Sequence, residues 1–260
     1  MNDHYIGFVK KLREWAVAFI CAVMFLGPAL HAEERCPVEI KLLLSPPTIQ
    51  TVIASLRFEK EMAGRVYFFD TNELDLLKQG VIVRVRQDAA NDLTVKVRAP
   101  EGSNKVDTSL LREHFQCEID RIGAGDNISY SVNRKYKSLH APEMGTDIAR
   151  LLSPAQARLL QQALVSIDWS GVKRIANIKS TKWETTGQPP FRKLALELWE
   201  SPAGSILELS AKVGFEEGQS KYAELQRLVK EKSLSLSASQ GTKTTMVLEL
   251  ETHQYHGSEK

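Results

Sequence analysis

Between Val81 and Arg98 the chain reads V-I-V-R-V-R-Q-D-A-A-N-D-L-T-V-K-V-R, a period of two that favours a β-hairpin with unlike faces. In the first strand Val81, Val83 and Val85 share one face, with Ile82, Arg84 and Arg86 on the other. In the second, Leu93, Val95 and Val97 oppose Thr94, Lys96 and Arg98, and a polar turn from Asp88 to Asp92 joins the two. Four cations on adjacent strands repel one another unless water screens them or something negative lies over them.

The same alternation recurs with carboxylates. Near residue 40, Glu39 and Lys41 face away from Val38, Ile40 and Leu42, and near residue 118, Glu118 and Asp120 fall together. From Arg192 to Glu200, Leu194, Leu196 and Leu198 oppose Lys193, Ala195, Glu197 and Trp199. From Ile206 to Val213, Glu208, Ser210 and Lys212 oppose Leu207, Leu209 and Val213. A strand over 172–183 alternates irregularly, and its reading groups Asn177, Lys179 and Thr181 on one face. Helices are expected from Pro46-Pro47 to about Glu61, from the Ser153-Pro154 cap to Leu164, and from Gln219 to about Leu234. Residues 123–140 give no clear assignment. Strands with one aliphatic and one mixed-charge face fit an α+β fold in which an antiparallel sheet packs its apolar face under helices. Closed into a barrel of about eight strands, the sheet would leave its polar faces around one small ligand.

The first 32 residues read as a leader outside the fold. Lys10, Lys11 and Arg13 precede an apolar run from Trp15 to Leu26, and Ala32 is a plausible cleavage position. That run is short for a membrane span. The expected organisation is a signal peptide over 1–32, one domain over 33–250 and a disordered tail over 251–260, in a secreted or periplasmic protein without stable membrane association once the leader is removed. Beyond the leader the formal net charge is +1, too balanced for a general nucleic-acid binder. Any cationic site must arise from segregation of charge. Two cysteines remain, Cys36 and Cys117, and an oxidising compartment makes a disulfide between them the default. Parity puts both on the face opposite Glu39 and Glu118.

From Pro37 to Lys243 the chain resembles the CYTH, or triphosphate tunnel metalloenzyme, superfamily. The family's opening E-x-E-x-K is similar to Pro37-Val38-Glu39-Ile40-Lys41, and its Y-F-D-T strand to Tyr67-Phe68-Phe69-Asp70-Thr71. The G-x-x-x-R-x-R and T-x-K elements correspond to Gly80 through Arg86 and Thr94-Val95-Lys96, and a late S-K-T-like element to Gly241-Thr242-Lys243-Thr244. The resemblance implies an eight-stranded antiparallel tunnel with helices outside. Such tunnels grip a triphosphate with cations, here Lys41, Arg84, Arg86, Lys96, Arg98, Lys179 and Lys243. It also implies Mg²⁺ or Mn²⁺ held by Glu118, Asp120, Glu197 and Glu208, with Glu39 and Lys41 in catalysis. Two positions depart from the pattern: Pro37 replaces the first glutamate, and Ser210 stands where the last strand's second glutamate is usual.

Three functional classes follow. One is an exported metal-dependent phosphohydrolase acting on the terminal phosphoanhydride of a small-molecule triphosphate or inorganic polyphosphate. The second is a binding module of the same fold that holds a polyanion without turnover, which the losses at Pro37 and Ser210 favour. The third is a structural exported β-protein with a wet salt-bridge face. Neither Ser/His/Asp nor Cys/His catalysis has support, and no glycine-rich phosphate loop is present.

Overall fold

Alternating faces let each strand bury its aliphatic side only if the sheet curls, and the sheet closes completely. The computed structural model describes residues 36–88, 91–99, 107, 109–110, 115–123, 125–136 and 147–257, so the expected leader lies outside the described residues. The strands are β1 (Val38–Leu44), β2 (Lys60–Asp70), β3 (Val81–Gln87), β4 (Asp92–Arg98), β5 (Gln116–Ile122), β6 (Gly125–Lys135), β7 (Lys173–Gln188), β8 (Phe191–Ser201) and β9 (Gly204–Val213). They form a closed barrel in the order β1-β5-β6-β4-β3-β2-β7-β8-β9, with β9 pairing back onto β1.

Among the described residues the count is nine strands where the sequence suggested eight, and one seam, β1 against β5, is parallel. The strand missed in the sequence is β6. It alternates Ile128, Tyr130 and Val132 against Ser129, Ser131 and Asn133, small polar groups that imitate a loop. The first helix is also shorter than expected: α1 (Ile49–Leu56) stops at Arg57, which takes a left-handed conformation, and β2 begins at Lys60. Gly64 therefore lies inside β2. A Cβ there would come within 2.7 Å of Asp88 Cβ and 2.8 Å of the Gln87 carbonyl, so only glycine admits the neighbouring strand end.

The outer face of the barrel is a continuous aliphatic surface. Val38, Ile40, Val83, Val85, Leu93, Val95, Leu207 and Leu209 are buried there with helical partners such as Leu56, Leu159 and Leu225. Of the helices on that face, α3 (Pro154–Gln162) is closed by a capping box in which Ser153 and Gln156 satisfy each other's backbone N–H groups. Gln156 also reaches the barrel wall, donating to the Leu93 and Val132 carbonyls at 2.8 and 3.2 Å. Helix α4 (Gly218–Glu231) turns Tyr222, Leu225 and Val229 inward, and the Tyr222 hydroxyl accepts from the Gly123 amide at 2.8 Å.

Asp70 of the Y-F-D-T strand has a structural task. Its buried carboxylate accepts from the backbone amides of Thr71, Leu76 and Leu77 at 2.7, 2.8 and 3.0 Å, which anchors the short helix α2 (Asp75–Lys78). The last helix, α5 (Lys243–Gly257), continues past residue 250 with Glu251 buried, where a loose tail was expected.

That helix explains the inner face. Leu43, Val66, Phe68, Ile82, Ala176, Ile178, Trp199 and Ile206 form a second apolar cluster with Val247 and Leu248 of α5. Six of the eight, all but Val66 and Phe68 of β2, share strand parity with polar inward residues further along: Lys41, Arg84, Ser180, Glu197 and Glu208. The barrel interior is thus apolar and filled by α5 toward one end, and polar beyond it.

The cysteines pair as expected: Cys36 and Cys117 form a disulfide with Cα atoms 5.3 Å apart. Register explains it, because Val38 and Ile119 are partners on the parallel β1–β5 seam and each cysteine lies two residues before. Cys36 is buried in the outer core rather than open on the surface. Pro37 precedes β1 and forfeits no ladder bond as a donor, while its carbonyl accepts from Ile119 at 2.9 Å.

Candidate functional site

The polar part of the interior is a cavity of about 780 Å³. Every strand except β6 contributes a charged residue to its lining, and β6 contributes Ser131 and Asn133. The hairpin cations converge as the alternation required, with Arg84, Arg86, Lys96 and Arg98 all inside. Glu39, Lys41, Glu118, Asp120, Glu197, Glu208 and Lys243 join them.

Lys179 does not. It points outward and pairs with Glu200 at 2.9 Å, the two side chains 61% and 39% exposed. The inward residues of β7 are Ser180, Lys182 and Glu184. The one-residue slip has a physical cause. Toward α5 the inward face of β7 is apolar, Ala176 and Ile178, so equating inward with polar selects the wrong parity.

The carboxylates divide into two groups. Glu39, Glu118 and Asp120 each offer an oxygen within 4.8 Å of the others. Lys41 Nζ donates to Asp120 Oδ1 at 2.6 Å and lies 3.0 Å from Glu39 Oε2. Lys96 Nζ sits 3.5 Å from Glu118 Oε2 and 3.8 Å from Asp120 Oδ2, and the exposed Lys212 reaches Glu118 Oε1 at 2.8 Å. Ser210 donates to Glu39 Oε1 at 3.2 Å. Burial raises the Asp120 carboxyl, but Lys41 and Lys96 outweigh it and hold the group at about 2. Glu39 is likewise held below the ordinary range, burial being outweighed mainly by Lys41. Lys41 itself is buried, yet Asp120 and Glu39 keep it well above its usual value.

Glu197 and Glu208 fall outside that group. They are directly paired across β8 and β9, and Lys243 Nζ lies 2.5 Å from Glu197 Oε2 and 3.0 Å from Glu208 Oε1. Glu197 Oε1 accepts from Ser180 Oγ at 2.8 Å and from Trp199 Nε1 at 2.7 Å. Burial is again outweighed, by Lys243 and Arg86, and the Glu197 carboxyl sits far below its usual value.

Of the hairpin cations, Arg98 is committed to the last helix: its guanidinium donates to Thr245 Oγ1 and Thr242 Oγ1, both at 2.9 Å. Arg84 makes a long contact of 3.4 Å to Thr94 Oγ1. The Nε–H groups of Arg84 and Arg86 are buried without an acceptor. Burial, with Arg86 adding repulsion, brings Arg84 down to about 9, and burial also lowers Lys96 and Arg98. Two buried donors without acceptors, on cations that repel, are the electrostatic signature of an anion site. The three hard-oxygen donors of the first carboxylate group fit a divalent cation such as Mg²⁺ or Mn²⁺.

The sequence reading missed Trp199, Ser180, Thr242 and Thr245 as site residues. Ser180 is paired across strands with Trp199, itself no candidate, so cross-strand pairing offered no signal for it.

No family model and no curated protein matches this chain. Solved structures do. A Hippeastrum protein, HpAC1, described as an adenylyl cyclase candidate with a dominant triphosphatase activity, superposes with a TM-score of 0.54 at 18% identity, covering 80% of this chain and 92% of its own. A Bacillus halodurans protein described as a candidate adenylate cyclase superposes with a TM-score of 0.54 at 17% identity, covering 82% and 97%. At such identities the likeness is one of fold, and the fold of this chain is the closed barrel those proteins share.

Proposed function

We propose that the barrel is a CYTH-type triphosphate tunnel acting as an exported metal-dependent phosphohydrolase on a triphosphate-bearing small molecule or short inorganic polyphosphate. The observation that carries this reading is the pair of buried, acceptor-free Nε–H groups on Arg84 and Arg86 beside a three-carboxylate group in one cavity. A chain of phosphates supplies the acceptor oxygens the arginines lack, and Lys96 adds a further positive charge. Glu39, Glu118 and Asp120 would hold the divalent ion, whose chemistry is to neutralise phosphate oxygens and lower the pKa of a bound water. Hydrolysis would add a water oxygen to the terminal phosphorus as the bridging P–O bond breaks, releasing orthophosphate and a proton.

The directions of ionisation constrain the protein's part in this step. Lys41 stays protonated and Glu39 stays ionised, so both act as fixed charges, with Glu39 orienting and Lys41 stabilising, rather than as proton carriers. The triphosphatase described for the Hippeastrum relative in fold supports the same reaction class. The disulfide supports an oxidising compartment.

A second reading, a binding module without turnover, draws on Ser210. Where a further carboxylate is usual, its hydroxyl spends a hydrogen bond on Glu39. Phosphate release from tripolyphosphate with Mg²⁺ or Mn²⁺ separates the two. Metal-dependent release is expected. Thermal stabilisation by tripolyphosphate with no release under either metal would leave the binding module, and neither effect would remove both readings.

A further inference from the structure

Glu197 and Glu208 stand opposite each other on β8 and β9, both inward, Glu208 buried and Glu197 with its side chain 17% exposed. Two facing carboxylates in a low-dielectric wall need a cation between them. Here the cation is part of the chain. Lys243 Nζ lies 2.5 and 3.0 Å from the two carboxylates and 4.3 Å from the centroid of the Trp199 ring, its side chain 9% exposed. Glu197's other oxygen is taken by Ser180 and Trp199. Lys243 opens α5, and Arg98 grips Thr242 and Thr245 on either side of it.

We infer that Lys243 is a resident cation that occupies the Glu197–Glu208 pair in place of a divalent ion, delivered and held there by the Arg98–Thr242–Thr245 clamp. An ion bound by these carboxylates would need the oxygens that the ammonium covers. The two carboxylate groups differ in this respect. In the first group Lys41 lies on Asp120 and Glu39 at 2.6 and 3.0 Å, but Glu118 meets Lys96 at 3.5 Å and the exposed Lys212 at 2.8 Å, whereas Lys243 contacts both carboxylates of its pair and is seated on an aromatic ring at the start of a packed helix. The inference rests on the metal reading above only for the first group, and it revises the role of Glu197 and Glu208 from metal ligands to counter-ions.

The test is Mn²⁺ stoichiometry on the purified protein, by calorimetry and by the electron paramagnetic resonance signal of free Mn²⁺. One ion is expected for the native chain and two for Lys243→Met, with Lys243→Met/Glu197→Gln returning to one. Two ions on the native chain would overturn the inference and leave the proposed function standing. No ion on the native chain but one on Lys243→Met would do the reverse. No gain in Lys243→Met that remains folded by circular dichroism would overturn the inference. Should that variant not fold, Glu197→Gln decides: unchanged stoichiometry is expected, and a lost ion would refute the resident-cation role.

Discussion

Lys41 and Asp120 meet at 2.6 Å across the parallel seam of the barrel, joining β1 to β5 on the inside just beyond the point where Cys36 and Cys117 join them on the outside. This seam is the only parallel contact among the described strands, and it carries all three carboxylates of the candidate metal group. Its covalent and ionic ties therefore bear on the fold and the site together.

The ionic tie sets an acid limit. Asp120 in the folded chain sits at about 2 against an ordinary 3.8, a lowered value. The stability it contributes is present above about pH 4 and is lost as pH falls from there through 2. Urea unfolding in this window should show a loss of roughly 2 kcal/mol that Asp120→Asn abolishes. An identical pH slope in that variant would refute the assignment.

Arg84 works in the opposite sense. At about 9 its folded pKa lies below the ordinary 12.5, so the folded state disfavours its charge. The cost is fully present below about pH 9 and fades as pH rises toward 12.5. Arg84→Met should leave the ligand-free protein as stable or more stable, while weakening tripolyphosphate binding about ten- to a hundredfold. Calorimetry with unchanged affinity would exclude Arg84 from the anion site.

The disulfide closes a loop spanning a sequence separation of 81 residues. Replacing both Cys36 and Cys117 with alanine should cost about 4–5 kcal/mol in the chain-entropy estimate, read as a lower urea midpoint. Addition of reductant should lower the midpoint of the native chain toward the variant's and leave the variant unmoved.

Lys179 supplies the control for strand register. Exposed and paired with Glu200, it should tolerate Lys179→Ala with a change of no more than about 1 kcal/mol in stability and no loss of tripolyphosphate affinity. Lys96→Ala, inside the cavity, should lose about tenfold or more. Equal losses in the two variants would mean that β7 is turned the other way.

Local alternation by itself determined most of the wall. Val83 against Arg84, Ile40 against Lys41 and Leu207 against Glu208 each sort correctly because a strand's period of two is a property of its backbone, independent of what packs on it. The cysteine pairing was legible for the same reason: parity placed both on the outer face. Only the tertiary structure decided where the inside changes character. The apolar inward residues Val66, Ile178 and Trp199 are buried because α5 fills one end of the barrel, and nothing local announces a helix arriving from the far end of the chain. That packing turned Lys179 outward, set Lys243 between Glu197 and Glu208, and committed Arg98 to two threonines. Which carboxylates group together was likewise a matter of strand order, since Glu39 meets Glu118 and Asp120 only because β1 and β5, far apart in sequence, lie side by side.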